Sequence, residues 1–369
     1  MVDNIFVTKP SLPPLEEFEP YLQEIWDEGI LTNSGPFHAK LEEKLAEYLD
    51  VPYVSLTNNC TTALLIALKA LALSGEVITT PFTFIATSHA ILWNNLDPVF
   101  VDIEAGSLNL DPKKVEAAIT PNTTAILAVH CFGNPAQLDL FEDIAKRHNL
   151  KLIFDASHAF GVQKNHKSIL RFGDLSTLSF HATKVFNTFE GGAIISQTRE
   201  MKENIDQLKN FGIVNEVEVK TLGINGKMSE INSAFGLLQL KYIDKFIKQR
   251  GGISRAYIEA INSIKGLEYI DSPEGVTREN YSYFPILIQP DYPISRDELY
   301  WKMKESGVHP RRYFYPLITD FDMYKNLPSA NSNLLPIAKK TADRVLCLPI
   351  YPDLCLLAIH RIIELIKLP

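Results

Sequence analysis

The chain of 369 residues is 46% hydrophobic and 22% charged, the balance of a folded globular protein and not of a disordered or fibrous one. Its length exceeds what a single core usually serves, so about two domains are expected. The formal net charge of -8 excludes overall attraction to nucleic acid or anionic lipid, while a local basic pocket for a phosphorylated ligand remains open.

Residues 1–40 are rich in proline and turn signals. LPPLEEF and LTNSGPFH read as an extended arm broken by short helices, which needs other surfaces, such as those of a second subunit, to cover it. No basic start leads into a long apolar stretch, so no secretory signal is expected. No window approaches about 18 continuous apolar residues, so no membrane span is expected, and a cytoplasmic location follows. Cys60, Cys131, Cys347 and Cys355 are scattered, with no metal-ligand pair or disulfide framework, as suits thiols in a reducing compartment.

Residues 38–49, HAKLEEKLAEYL, carry apolar positions at helical spacing. Short apolar runs then alternate with amphipathic segments. Strands are predicted at 52–57, 76–80, 98–102, 124–130, 150–154, 175–180 and 192–196, with helices over 61–73, 83–94, 111–118 and 138–147. Strands separated by helices of this length point to an α/β protein with a mainly parallel sheet. Too little chain separates the last two runs for a helix, so the last is expected to join antiparallel. Residues 228–250 form a long helical pattern leading out of this domain. Strands near 266–270 and 284–288 and helices near 296–306 and 338–344 suit a smaller α+β domain. The expected division is 1–245 for the arm and large domain and 246–369 for the small one.

Four segments can carry chemistry. In LSFHATKVFNTFEGG (178–192), Lys184 follows a buried strand and precedes a glycine pair. An ammonium beside a core is costly unless it is paired or its pKa falls, and a lysine with a lowered pKa attacks aldehydes. A lysine on a solvated loop is the plainer alternative. In LIFDASHAFG (152–161), Asp155 ends a strand, where ligands of open α/β sheets bind. Aspartate there can balance a metal, a ribose or a protonated ring nitrogen, or merely make an Asx turn or helix cap. In SLTNNCTTALLIALKAL (55–71) a strand meets an N-capping cluster, whose free N–H groups suit a phosphate or ordinary capping. Phe84, beyond another strand end, can stack on a flat ring or plug the core. His130, His158 and His181 lie near strand ends, yet no HExxH or CxxC supports a metal. No GxGxxG or GxxxxGK[ST] supports a dinucleotide or Walker-type site.

Taken in order, LTNSGP, NNCTTAL, TTPFTFIAT, PVFVDI, HCFGNPAQLD, DASHAFG, SFHATK, EGGAIIS, GINGKMSEINSAFGLLQL, RRYFYPL and DRVLCLPIYP span nearly the whole chain. They resemble the sugar-nucleotide aminotransferases of the type I pyridoxal-phosphate fold. The opening segment and SFHATKVFNTFEGG are most similar to those that aminate dTDP-4-keto-6-deoxy-D-glucose. The resemblance implies a seven-stranded, mainly parallel sheet between helices. It implies pyridoxal 5'-phosphate as cofactor, with pyridoxamine 5'-phosphate as its intermediate form. It also implies L-glutamate as amino donor, a nucleotide-linked keto sugar as acceptor, and a homodimer with sites at the interface. Lys184 then corresponds to the lysine that carries the cofactor covalently, and Asp155 to the partner of the ring nitrogen. Phe84 matches the aromatic stacked on the ring, and His158 the residue near the 3-oxygen. Ser179 and Thr61 match phosphate ligands, and Asn225 the asparagine that reaches the phosphate from the partner subunit. Cys60 replaces a usual glycine, so a slightly altered turn is expected there, with the backbone N–H still available. Relatives that act as pyridoxamine-phosphate-dependent dehydratases carry histidine at the lysine position, which Lys184 argues against. A C3-keto or other nucleotide-linked sugar is the competing acceptor, and a non-catalytic ligand-binding relative the competing class.

Overall fold

The computed structural model describes residues 4–367. Seven strands form the large sheet: β1 (Tyr53–Thr57), β2 (Glu76–Thr79), β3 (Asp97–Phe100), β4 (Thr123–Val129), β5 (Lys151–Asp155), β6 (Leu175–Ser179) and β7 (Gly192–Ser196). Their spatial order is β1-β7-β6-β5-β4-β2-β3. Neighbours pair in parallel except β7, which runs antiparallel to both β1 and β6, as the short β6–β7 connection requires. All seven expected strands are present, within a residue or two of the expected ends.

Side-chain alternation explains why these runs are largely apolar, with the small Ser and Thr their main polar residues. Ile78, Ile126, Leu152, Phe154 and Ile195 pack into one core, while Val77, Leu127, Ile153 and Ile194 pack into another. Successive residues point to opposite faces, and helices cover both, so both faces favour apolar or small side chains. The helices Cys60–Ala70, Ala86–Trp93, Pro112–Ala117 and Leu138–Arg147 are the crossovers. The second begins later than expected from the sequence, because Pro81–Phe84 form a turn before it.

A helix of 32 residues, Glu230–Ile261, joins the two parts of the molecule. Phe235, Leu238, Ile243 and Ile247 bury against the large core, and Ile253, Tyr257 and Ile261 against a second core. The expected boundary after residue 245 therefore falls inside a continuous helix. The second core backs an antiparallel sheet of β8 (Leu267–Tyr269), β9 (Phe284–Ile288) and β10 (Val345–Leu348). Helices Arg296–Glu305 and Leu356–Lys367 complete this smaller α+β part. The arm docks partly on its own chain: Ile5–Phe6 pair with Val308–His309, and Gln239 Nε2 donates to the Ser11 carbonyl at 2.7 Å. Phe6, Leu12, Leu15 and Trp26 of the arm region stay exposed.

Candidate active site

A cavity of about 410 Å3 lies at the C-terminal ends of the parallel strands and is closed on one side by the small domain. Asp155 ends β5, Ser179 ends β6, Val129 ends β4, and the turn after β1 supplies Asn59, Cys60 and Thr61. This is the position at which open α/β sheets bind ligands.

One end of the cavity is built for an anion. Gly192 pairs with Thr57 on one side and Ser179 on the other, so β7 sets the turn after β1 and the end of β6 on a common edge. A Cβ at Gly192 would come within 2.8 Å of the Asn59 carbonyl and the Cys60 nitrogen, so only glycine lets this turn approach the strand so closely. Asn59 caps the helix, its side chain accepting from Thr62 N–H at 2.8 Å. The first-turn N–H groups of Cys60 and Thr61 find no intrahelical carbonyl and point outward, with the helix dipole behind them. The turn accommodates Cys60 without a positive φ, and its backbone N–H stays free of intrahelical partners. Cys60 is the first helical residue, and no residue from 57 to 61 has positive φ. The close approach is provided by glycine on the opposing strand, at Gly192. Burial pushes the Cys60 thiol up to about 12, and its Sγ lies 3.1 Å from Ser157 Oγ.

Asp155 is buried, and both its oxygens are held. Oδ2 accepts from Thr87 Oγ1 at 2.8 Å; Oδ1 accepts from Ser157 N–H at 3.1 Å and from Ser157 Oγ at 2.6 Å. The plane of the carboxylate is thus set by two elements, the helix carrying Thr87 and its own strand-end turn. Lys184 is half-buried in the same cavity, and its Nζ donates to Tyr283 Oη at 3.2 Å. The plainer reading, a lysine on a solvated loop, does not hold. His158 is buried, and its Nδ1 accepts from Phe132 N–H at 3.2 Å, which leaves Nε2 as the donor. Burial, with the Lys184 charge, holds its pKa well below the ordinary histidine value. Phe84 is 61% exposed although it lines the cavity, an apolar ring face with nothing stacked on it.

The cavity thus brings together Cys60, Thr61, Phe84, Asp155, His158, Ser179 and Lys184. It does not include Asn225, which is exposed and forms a bridge with Asn210. The neighbouring Gly226 carbonyl accepts from Asn58 N–H at 2.8 Å, so the Asn225 loop still touches the anion-binding turn of its own chain. Sequence reasoning missed Thr87, Tyr283, Arg311 and Tyr313 as cavity residues. RRYFYPL marked the last two only as part of a resemblance, and nothing local distinguished Tyr283.

A model of the DegT/DnrJ/EryC1/StrS aminotransferase family matches residues 15–367. The chain belongs to that family. It is 51% identical over 367 residues to a dTDP-4-amino-4,6-dideoxy-D-glucose transaminase of Shigella dysenteriae, covering 100% of this chain and 99% of the relative. A protein of the same name from Escherichia coli is 52% identical over 353 residues, 95% of each chain. Among solved structures, DesI with its TDP-sugar product superposes with a TM-score of 0.94 at 34% identity, covering 100% of this chain and 93% of DesI.

The aminotransferase is a pyridoxal-phosphate enzyme of the type I fold, and the cavity's chemistry fits that cofactor. A half-buried amine suits an aldehyde, a buried carboxylate suits a protonated ring nitrogen, and an unstacked aromatic face suits a flat ring. The helix start and the Ser179 hydroxyl suit a phosphate. Among the described residues no helix is long and apolar enough to cross a membrane.

Proposed function

We propose that the aminotransferase moves the amino group of L-glutamate to C4 of dTDP-4-keto-6-deoxy-D-glucose. The products are dTDP-4-amino-4,6-dideoxy-D-glucose and 2-oxoglutarate, the amino sugar serving surface polysaccharide such as O-antigen. The observation that carries this is the joint placement of Lys184, Asp155, Ser179 and the Cys60 helix start around one cavity, in a chain half identical to transaminases named for that product.

Pyridoxal phosphate supplies a carbonyl that exchanges amino groups and a ring that draws electrons from the carbon losing its proton. The chain supplies the rest. Thr61, Ser179 and the first-turn N–H groups would bind the phosphate; Phe84 would cover a ring face, and His158 Nε2 would serve as a donor to the ring's oxygen. Asp155, held in plane by Thr87 and Ser157, balances the ring nitrogen. Lys184 would anchor the cofactor and, once its amine is free, would hold and move the proton of the reaction, with the Tyr283 hydroxyl 3.2 Å away as its hydrogen-bond partner.

Two observations support a two-fold assembly with shared sites. Asn225 stands outside its own chain's cavity, and the segment before it exposes Ile213, Val217, Val219 and Leu222, with Val217 at 96%. An apolar cluster of that kind is normal at an interface and costly in water.

The test is direct. Purified protein, L-glutamate and a panel of nucleotide-linked keto sugars are combined, and products are read by NMR. An amino group at C4 of the dTDP sugar is expected. Amination at C3, or preference for another nucleotide, would replace this acceptor assignment.

A further inference from the structure

Almost every charged side chain lining the cavity has a partner or a place in the cofactor site. Lys184 donates to Tyr283, Asp155 is held by Thr87 and Ser157, and His181 lies 3.7 Å from Glu190 and 2.8 Å from Thr183. Arg311 differs. It lines the cavity and is exposed, and among the described residues its guanidinium makes no hydrogen bond or ion pair. Its backbone is fixed, since its N–H donates to the Cys347 carbonyl at 3.2 Å and its carbonyl accepts from Cys347 N–H at 2.7 Å. Cys347 lies within β10, so the unpartnered guanidinium springs from a sheet-bonded residue.

The adjacent Arg312 serves the fold instead. It donates to Asp297 at 2.8 Å and lies over the rings of Tyr300 and Tyr315 at 4.4 and 5.2 Å. Arg311 and Tyr313 line the same cavity as Lys184. The Tyr313 ring is 5.5 Å from that of Tyr283, whose hydroxyl accepts from Lys184, and the Arg311 charge acts on the Tyr313 phenol.

We propose that Arg311 is the binding site for a carboxylate of the amino donor, an inference that rests on the aminotransferase function proposed above. An amino dicarboxylate brings negative charge into a cavity whose other cations are committed. A guanidinium offers two parallel N–H donors that match a carboxylate, and its planar fork loses little entropy on pairing. Size points to the donor and not to the nucleotide. At about 410 Å3 the cavity is near the lower end of the range for small-molecule sites, roughly 300–1,000 Å3. That is room for a pyridine cofactor with an amino acid, but not for a whole nucleotide sugar beside the cofactor, whose diphosphate other groups would have to meet.

The experiment uses the full-length, cofactor-loaded protein with Arg311→Gln and Arg311→Lys. Glutarate, an unreactive dicarboxylate, is the binding probe, read by calorimetry; KM is measured separately for L-glutamate and for the keto sugar. For Arg311→Gln the glutarate dissociation constant and the glutamate KM should both rise by roughly 10- to 150-fold, the equivalent of one charge-assisted pair. Arg311→Lys should fall between, since it keeps the charge and loses the fork. The keto-sugar KM should stay within about two-fold, and the cofactor absorption band reports that both variants are folded. Unchanged glutarate binding and glutamate KM would overturn the assignment. So would a rise confined to the keto-sugar KM, which would place a diphosphate on Arg311, or a wild-type protein that binds no glutarate. If the variants lose glutarate while the wild type aminates no nucleotide sugar, Arg311 keeps its role and the acceptor assignment fails instead.

Discussion

Replacing Asp155 with asparagine separates charge from shape at the ring-nitrogen end of the site. The wild-type carboxylate is 4% exposed and accepts from Thr87 Oγ1 and from the Ser157 N–H and hydroxyl. The asparagine oxygen can keep both Ser157 donors, and its NH2 then faces Thr87, whose hydroxyl can turn to accept. The fold should therefore lose about 1 kcal/mol or less. What disappears is a negative charge beside the ring nitrogen. At about 4 Å and an effective dielectric near 20, that interaction is on the order of 4 kcal/mol. Not all of it is realised in the transition state, so turnover should fall by roughly 10²- to 10³-fold. Cofactor should still bind in part, through the phosphate site and Lys184. The assay is transamination with L-glutamate, with cofactor occupancy read from the absorption band and folding from thermal unfolding. Turnover within about five-fold of wild type, with occupancy confirmed, would refute the role given to Asp155.

Lys184→Ala should fold and bind cofactor, yet turn over at background; after borohydride reduction and proteolysis, mass spectrometry should find the pyridoxyl adduct of the wild-type protein on the peptide containing residues 180–190, and an adduct on another lysine would reject the mechanism. Mixing Lys184→Ala with Asn225→Ala protein tests the shared site: if Asn225 serves its partner's cavity, each hybrid dimer keeps one intact site and activity reappears, whereas Asn225 acting within its own chain gives no recovery. Stability should fall in mild acid. Burial lowers His38 to about 4 and His130 to about 3, so both stay neutral in the folded protein at pH 5. The unfolded chain takes up protons below about 6.5, so each residue should remove roughly 2 kcal/mol of stability between pH 7 and pH 5. Urea midpoints at the two pH values measure this, and equal midpoints would contradict it.

The local order of apolar runs determined the large domain. β1 to β7 are legible because both faces of each strand are largely buried, which makes the runs mostly apolar, with small Ser and Thr, and turns bound them. Asp155 is legible for a related reason: it is a polar residue at the end of such a run, where a parallel sheet exposes its binding edge, and Lys184 follows another run; Ser179 entered only through the resemblance. Signals failed where burial is thin or the run is short. The helix Arg199–Leu208 buries only Ile205 and Leu208, and β10 is a run of four residues, too short to tell strand from helix. The turn at Cys60 shows a further limit, since the sequence gives the residue in a turn but not Gly192 of the strand that packs against it.

What only the tertiary structure decided is which distant side chains share the cavity. Tyr283, Arg311 and Tyr313 enter the cavity of Lys184 from the small domain, brought there by the long helix Glu230–Ile261 and by β9 and β10. Arg311 and Arg312 are identical neighbours in the sequence, yet one binds Asp297 and the other is left for a ligand. Periodicity states which way a residue faces relative to its own element. It carries no information on how two elements far apart in the chain are turned toward each other, because packing between their buried faces sets that angle.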